Sequence, residues 1–479
     1  MRPLSVLFRA ACACAAFLVL SSCAISPVTG KPELMLVSQQ QEIQLGKEAA
    51  PSLTWGYGGR YRDEELQRYL EPIVRRIWEN SERPDLPFRF ATLNTSVPNA
   101  FALPGYVAIT RGLLAEFDNE AQFVAVMGHE VGHVAARHTA KALTRRTLQQ
   151  LGLVLGGAVL ADSGTRDVVL GVGALGSSLL LLKFSRDQEL QADRLGVRYM
   201  AELGYDPRQA VQAHERLMVA VDDYLHRIGE KRREGTIIEA LFSTHPRESV
   251  RKEEIRDMIG DLPPYQVTAP QGGTGRERFI ERTRSLREVH QAYAPYDRAV
   301  KYYGEGKLRE AEAELKKALA TMEGQAPFHN LYGMLMLKRD SPEKARGYFE
   351  RALALYPDYQ PSVYGLGLVA MSQGRYRDAL VHFDKSLKLF PAHAGTVLGM
   401  GKSHFKLGQY REALPYLESF ASAYPRHPEV HGMLGLCYES TGRLREAVQS
   451  YQRQLEVAPE NDMGALARER LAALGMTPS

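Results

Sequence analysis

Cysteine is scarce in this sequence, with four among 479 residues. Cys12 and Cys14 lie in an N-terminal apolar segment, Cys23 closes it, and Cys437 alone is left for the body, which excludes a disulfide framework. A lone cysteine in a helical pattern is expected as a small core residue. Excess charge of one sign is scarce too. Sixty Lys and Arg against 56 Asp and Glu give +4, interleaved along the chain, with no basic stripe of the kind that binds nucleic acid. In the body of the chain no apolar run reaches the ~20 residues of a membrane span. The two longest, residues 151–161 and 168–182, are split by a polar stretch and are expected as a buried helical hairpin, with a lid or a membrane-dipping hairpin as the alternative. Histidine is also rare, 13 in all, so any histidine cluster carries weight.

What is present begins at the N-terminus. Arg2 and Arg9 flank a short start, residues 10–20 are apolar, and Ser21, Ser22 and Cys23 follow, which is the layout of a secretory signal over residues 1–22. The run Leu20-Ser-Ser-Cys23 resembles a bacterial lipobox, whose cysteine becomes the lipidated first residue of the mature chain. Several acyl chains on Cys23 would anchor the protein stably in a membrane, where one chain would not. Ala24 in place of Asp points to the outer membrane. Residues 23–38, with Pro27, Gly30 and Pro32, are expected as a tether.

A chain of this length holds two or more domains. Helical periodicity starts at Gln39, and residues 63–79 form a second amphipathic pattern containing Pro72. Residues 88–93 alternate like a strand, residues 99–110 read as two short strands around Pro104-Gly105, and residues 119–150 read as one long helix capped by Asn119. Pro- and Gly-rich sequence places a linker at residues 263–285. The C-terminal part, residues 286–479, repeats: Ala311, Ala345, Ala379, Ala413 and Ala447 are each 34 residues apart, and Pro357, Pro391, Pro425 and Pro459 keep the same period, as do Gly374, Gly408 and Gly442. This period, with small residues where two helices cross and a terminal proline, is the tetratricopeptide signature, an all-α solenoid whose concave face suits other chains.

The chemistry lies in Gly128-His-Glu-Val-Gly-His133. His129 and His133, four apart on a helix, share one face and can reach one Zn²⁺ at ~2.0–2.1 Å. Glu130, about 100° round the helix, can reach a metal-held water without binding the metal, and so act as general base. In a chain this poor in histidine, chance gives the pattern about a few per cent of the time. A catalytic zinc needs a third protein ligand. The metzincin position is occupied by Thr139, and Ala136 replaces the required glycine, so that option fails. His138 is one residue off and is expected as a helix-end or hydrogen-bonding residue. Glu189, four residues before Asp193 on one helical face, is the better third ligand, with Asp193 holding a ligand histidine.

The motif His129 to His133, then Ser185-Arg-Asp-Gln-Glu-Leu-Gln-Ala-Asp193, then Ser243-Thr-His-Pro246 with Arg251, resembles the gluzincin family of the CAAX prenyl proteases and the heat-shock membrane protease. With the signal and the repeats, the architecture resembles the periplasmic β-barrel-assembly-enhancing proteases of that family. The resemblance implies a mainly α chain in which a zincin-like α+β metallopeptidase domain, residues 39–262, precedes the repeats. It implies one zinc on His129, His133 and Glu189, with Glu130 as base and Asp193 as an outer-shell group or proton donor. It further implies His245 as a ligand that caps the zinc and holds the enzyme latent, and Arg251 as a cation for the tetrahedral oxyanion. Asn99, Ala100 and Phe101 match the family's edge strand above the metal, to which an extended substrate pairs.

The function so implied is a zinc endopeptidase of the bacterial periplasm. It degrades misfolded or stalled outer-membrane proteins and assists their assembly, engaging the β-barrel assembly machinery through the repeats and the membrane through its lipid anchor. Two alternatives stand beside it: a tetratricopeptide chaperone or scaffold with a mostly latent centre, and a housekeeping protease for which the repeats are cover.

Overall fold

The computed structural model describes residues 23–155, 184–231 and 251–476. The expected signal peptide, most of the expected hairpin at 151–182, and His245 with its Ser-Thr-His-Pro run lie outside the described residues. The chain divides into two compact units, one reaching Asp297 and the other running from Arg298 to the C-terminus.

The first unit opens with a hairpin of β1 (Cys23–Ile25) and β2 (Pro32–Leu34), followed by α1 (Gln39–Gly56) and α2 (Glu64–Glu79). Ser38 starts α1 through a capping box with Gln41, and Asp63 starts α2 by accepting from the Leu66 amide; each such cap stabilises by about 1 kcal/mol. Along α2, Leu66, Leu70, Ile73, Val74, Ile77 and Trp78 form one buried stripe. At about 1.5–3 kcal/mol for each large apolar side chain, this stripe and not propensity holds the helix. Pro72 is accommodated within α2 without ending it. Three strands follow, β3 (Phe90–Leu93), β4 (Ala100–Leu103) and β5 (Tyr106–Thr110), in the order β3-β5-β4. β5 is parallel to β3 and antiparallel to β4, joined to the latter through Gly105 at φ 94°. All three strands are buried along their whole length, so β3 does not alternate as its sequence suggests. One core lies against α2, and a second, with Phe101, Leu103 and Tyr106, lies against α1.

Then come the short α3 (Arg111–Leu114), α4 (Glu120–Ala135), α5 (His138–Leu155), α6 (Arg186–Glu202), α7 (Gln209–Arg227), α8 (Arg251–Gly260) and α9 (Arg276–Ala292). Three local expectations change. The single helix expected over 119–150 is two, because Arg137 takes a left-handed φ of 57°. Its guanidinium is held there by Glu42 Oε2 at 3.0 Å and the Val37 carbonyl at 2.8 Å. The expected tether contains the β1–β2 hairpin, docked on α5 by a Lys141–Glu33 ion pair and by the Leu36 amide donating to Thr144. Residues 276–292, split in sequence between linker and repeats, are helical and belong to the first unit: Phe279 and Leu286 enter its core. Arg278, Tyr69 and Tyr205 all donate to the fully buried Glu120 in the first turn of α4.

In the second unit the 34-residue period is that of a pair of helices. Pro342–Leu355, Tyr376–Leu389, Tyr410–Ala423 and Leu444–Val457 each pack on the helix before them, namely Ala326–Lys338, Gln360–Ser372, Ala394–Lys406 and Val430–Ser440. The five repeat alanines have no exposed surface, as close helix crossings require. Gly374, Gly408 and Gly442 turn between paired helices at φ of 70–79°, and Asp340 takes the same place at φ 52°. Phe349 fills the space left by Gly333 and Gly365: a Cβ on either would lie 2.5 Å from its ring.

Candidate metal centre

Two helices build the site. α4 is capped by Asn119, whose Oδ1 accepts from the Gln122 amide, and α6 by the Ser185–Gln188 capping box, which sets Glu189 in its first turn. The two helices cross at glycines: a Cβ on Gly196 would lie 2.9 Å from the His129 backbone nitrogen, and one on Gly128 would lie 3.1 Å from the Gly196 Cα. That approach brings Glu189 to the histidines. His129 Nε2 and His133 Nε2 are 3.0 Å apart. Glu189 Oε1 is 3.4 Å from His133 Nε2, and its Oε2 is 3.6 Å from His129 Nε2. The three groups offer one ligand atom each, all within 4.8 Å of one another.

This triangle can be tested against a metal. Four ligands at ~2.0–2.1 Å in a tetrahedron lie ~3.3–3.4 Å from each other. The 3.0 Å between the two histidine nitrogens and the 3.4 and 3.6 Å from them to the two Glu189 oxygens, one oxygen each, lie around that value. Two imidazoles and one carboxylate, without thiolate, suit zinc in a site with an open position, and not magnesium or calcium, which prefer oxygen.

The surrounding groups orient the ligands. Asp193 Oδ1 accepts from His129 Nδ1 at 2.7 Å, which turns the Nε2 lone pair of His129 toward the centre. Burial pushes the Asp193 carboxyl up, but the adjacent Arg251 and His129 outweigh it and hold it well below the usual carboxylate range. Held ionised in this way, the carboxylate anchors the His129 ring. Arg251 supports the same carboxylates. Its Nε and Nη2 donate to Asp193 at 2.8 and 2.7 Å, and its Nη1 is 3.3 Å from Glu189 Oε2. All three of its nitrogens lie at carboxylates, and the residue also lines the cavity beside His129 and Glu130.

His138 opens α5 and is hydrogen-bonded on both ring nitrogens, in keeping with the helix-end or hydrogen-bonding residue expected, and it is fully buried against the site. Its Nδ1 is 2.8 Å from His133 Nδ1, and its Nε2 is 3.0 Å from Gln191 Oε1. Burial lowers its pKa to about 4. Phe184 stacks on the His133 ring with centroids 4.3 Å apart.

A cavity of about 90 Å³ opens beside His129 and Glu130, walled by Val126, Leu217, Met218 and Ile255. Glu130 is 6% exposed. Asn99 and Ala100 line the cavity at the start of β4, one of the two edge strands of the sheet, whereas Phe101 points into the second core beside Tyr57 and Tyr106. His214, from α7, also lines the cavity, and burial lowers its pKa to about 4. No sequence signal marked it, since a lone histidine on an amphipathic helix has no motif around it.

A zincin-type triad and an array of helical pairs define the class: a metallopeptidase domain joined to tetratricopeptide repeats. Residues 64–259 match peptidase family M48, residues 296–360 and 398–462 match the tetratricopeptide repeat, and residues 338–420 match anaphase-promoting complex, cyclosome, subunit 3. Among curated proteins, the mitochondrial metalloendopeptidase OMA1 of Saccharomyces cerevisiae is 31% identical over 250 residues, 48% of this chain and 67% of that protein. OMA1 of Arabidopsis thaliana is 31% identical over 205 residues, 41% of each chain. The beta-barrel assembly-enhancing protease of Escherichia coli (strain K12) is 25% identical over 317 residues, 61% of this chain and 62% of that protein. The chain thus spans less than two thirds of the length of these last two relatives. It belongs to peptidase family M48.

Proposed function

We propose that the chain is a zinc-dependent endopeptidase of the bacterial periplasm that cleaves misfolded or stalled outer-membrane proteins and assists their assembly. The observation that carries this reading is the His129–His133–Glu189 triangle, whose edges suit one tetrahedral zinc. Zinc, when bound there, supplies a Lewis acid that activates water and polarises a peptide carbonyl. Glu130, on the cavity wall beside His129, takes the proton from the attacking water and returns it to the leaving amine. Asp193 and Arg251 hold His129 and Glu189 in place. An extended substrate pairs with the edge strand β4 near Asn99 and Ala100, through backbone bonds that demand little of its sequence. That suits an unfolded client.

The choice of client draws support from the relative named for β-barrel assembly and from the repeats, whose form suits the holding of other chains. The location draws support from the signal-like N-terminus and from Cys23 as a lipid anchor in the outer membrane. Among the described residues no helix is long and apolar enough to cross a membrane.

The test is hydrolysis of an unfolded barrel protein by the purified mature chain, with Glu130→Gln alongside. Cleavage by the wild type and its loss in Glu130→Gln, with zinc retained, is the expected result. Full cellular function of Glu130→Gln would instead favour the scaffold reading.

A further inference from the structure

The two ligand histidines are supported differently. His129 donates its outer nitrogen to an ionised carboxylate, which fixes its tautomer directly. His133 has another imidazole behind it, and two facing imidazole nitrogens can share a hydrogen in either direction.

The break at Arg137 creates this second support. In an unbroken helix, residue 138 would lie about 140° round from residue 133 and could not face its ring. With the left-handed turn at Arg137, a new helix begins at His138, and its ring swings behind His133 at 2.8 Å. On its far side His138 Nε2 meets the Gln191 side-chain oxygen at 3.0 Å. Gln191 lies two residues beyond Glu189 on α6, so the helix that brings the third ligand also brings the end of this chain of bonds.

The direction of the chain follows from its ends. An amide oxygen only accepts, so His138 carries its hydrogen on Nε2 and presents a lone pair at Nδ1. That lone pair accepts from His133 Nδ1, which leaves the Nε2 lone pair of His133 facing the centre. The opposite direction, with the Gln191 amide turned over, would put a hydrogen on His133 Nε2 and close the site to a cation. Resting on the zinc-site reading above, we propose that His138, oriented by Gln191, is a positioning residue that holds His133 in its metal-binding tautomer. Phe184, stacked on the His133 ring, limits the ring's rotation in the same sense.

The test is the zinc affinity of the full mature chain, measured by competition with a chromogenic chelator, with the melting temperature of the zinc-free protein as a check on folding. His138→Leu is expected to weaken zinc binding about 10–100-fold. His138→Asn, whose Oδ1 falls near the lost Nδ1 and accepts from His133, should recover most of that loss. Gln191→Leu leaves every histidine in place and should weaken binding by a smaller factor, whereas Gln191→Glu, a stronger acceptor, should bind at least as tightly as the wild type. If His138→Leu does not fold, the Gln191 pair decides alone. Wild-type affinity in both leucine variants, or an asparagine variant no better than leucine, would overturn the proposal while leaving the zinc site standing. A wild type that binds no zinc overturns both.

Discussion

Gly196→Ala is the perturbation whose outcome the helix crossing determines most sharply. The added Cβ would lie 2.9 Å from the His129 nitrogen, 3.2 Å from the Gly128 carbonyl carbon and 3.3 Å from the His129 Cα. All three neighbours are backbone of α4, so no side chain can swing aside. Restoring ordinary contact at about 3.4 Å requires the helices to part by about half an ångström, whereas a metal site tolerates only about 0.2 Å in its ligand distances. Glu189 rides on α6 and the histidines on α4, so the separation falls on the ligand triangle. Overpacking costs about 1–3 kcal/mol, and the better helix propensity of alanine returns about 0.5–1 kcal/mol. The net expectation is a loss of about 1 kcal/mol in stability, with zinc affinity reduced about tenfold or more. Gly347, in the repeats, is the control: it is helical and a Cβ there meets nothing within 4 Å, so Gly347→Ala should stabilise by about 0.5–1 kcal/mol. Chelator competition and thermal unfolding read both quantities. A Gly196→Ala protein with wild-type zinc affinity and a melting temperature raised like that of Gly347→Ala would refute the crossing geometry.

Arg251→Gln should make zinc binding more acid-sensitive than in the wild type: without the guanidinium, burial pushes the Asp193 carboxyl up, and its protonation removes the acceptor for His129. Zinc affinity measured across pH reads this, and parallel profiles for the two proteins would count against it. In the repeats, burial raises Glu312, but bonds from Tyr332, Lys316 and Arg339 outweigh it and lower it to about 2. A depressed folded pKa contributes stability above the unfolded value near 4.5 that is lost as pH falls toward 2. Glu312→Gln should flatten that part of the acid-unfolding curve followed by circular dichroism, and an unchanged slope would show that the three partners do not hold it.

The features with a fixed local period were legible in the sequence. His129 and His133 share a face of α4 by spacing alone, Glu189 and Asp193 do so on α6, and the array was countable from alanines 34 residues apart. What escaped was set by contacts distant in sequence. The break at Arg137 depends on Glu42, some 95 residues earlier, so nothing in the helix itself announces it. Residues 276–292 carry many charges and follow a Pro- and Gly-rich stretch, and their helix is anchored by Arg278 on the buried Glu120 of α4. Arg251 was rightly placed beside the centre, but its partners could not be read from one sequence: the same guanidinium could face a substrate or two carboxylates. His138, expected as a helix-end or hydrogen-bonding residue, is both, but the residue it bonds was not legible. Its role is invisible until the turn at Arg137 is known.

Zinc K-edge absorption spectroscopy on the purified mature chain reads the ligands of the metal itself. One zinc per chain is expected, with two imidazole nitrogens and a carboxylate oxygen at ~2.0–2.1 Å, and one imidazole fewer in His133→Ala. A chain that takes up no zinc, or a zinc shell unchanged by His133→Ala, would contradict this ligand set.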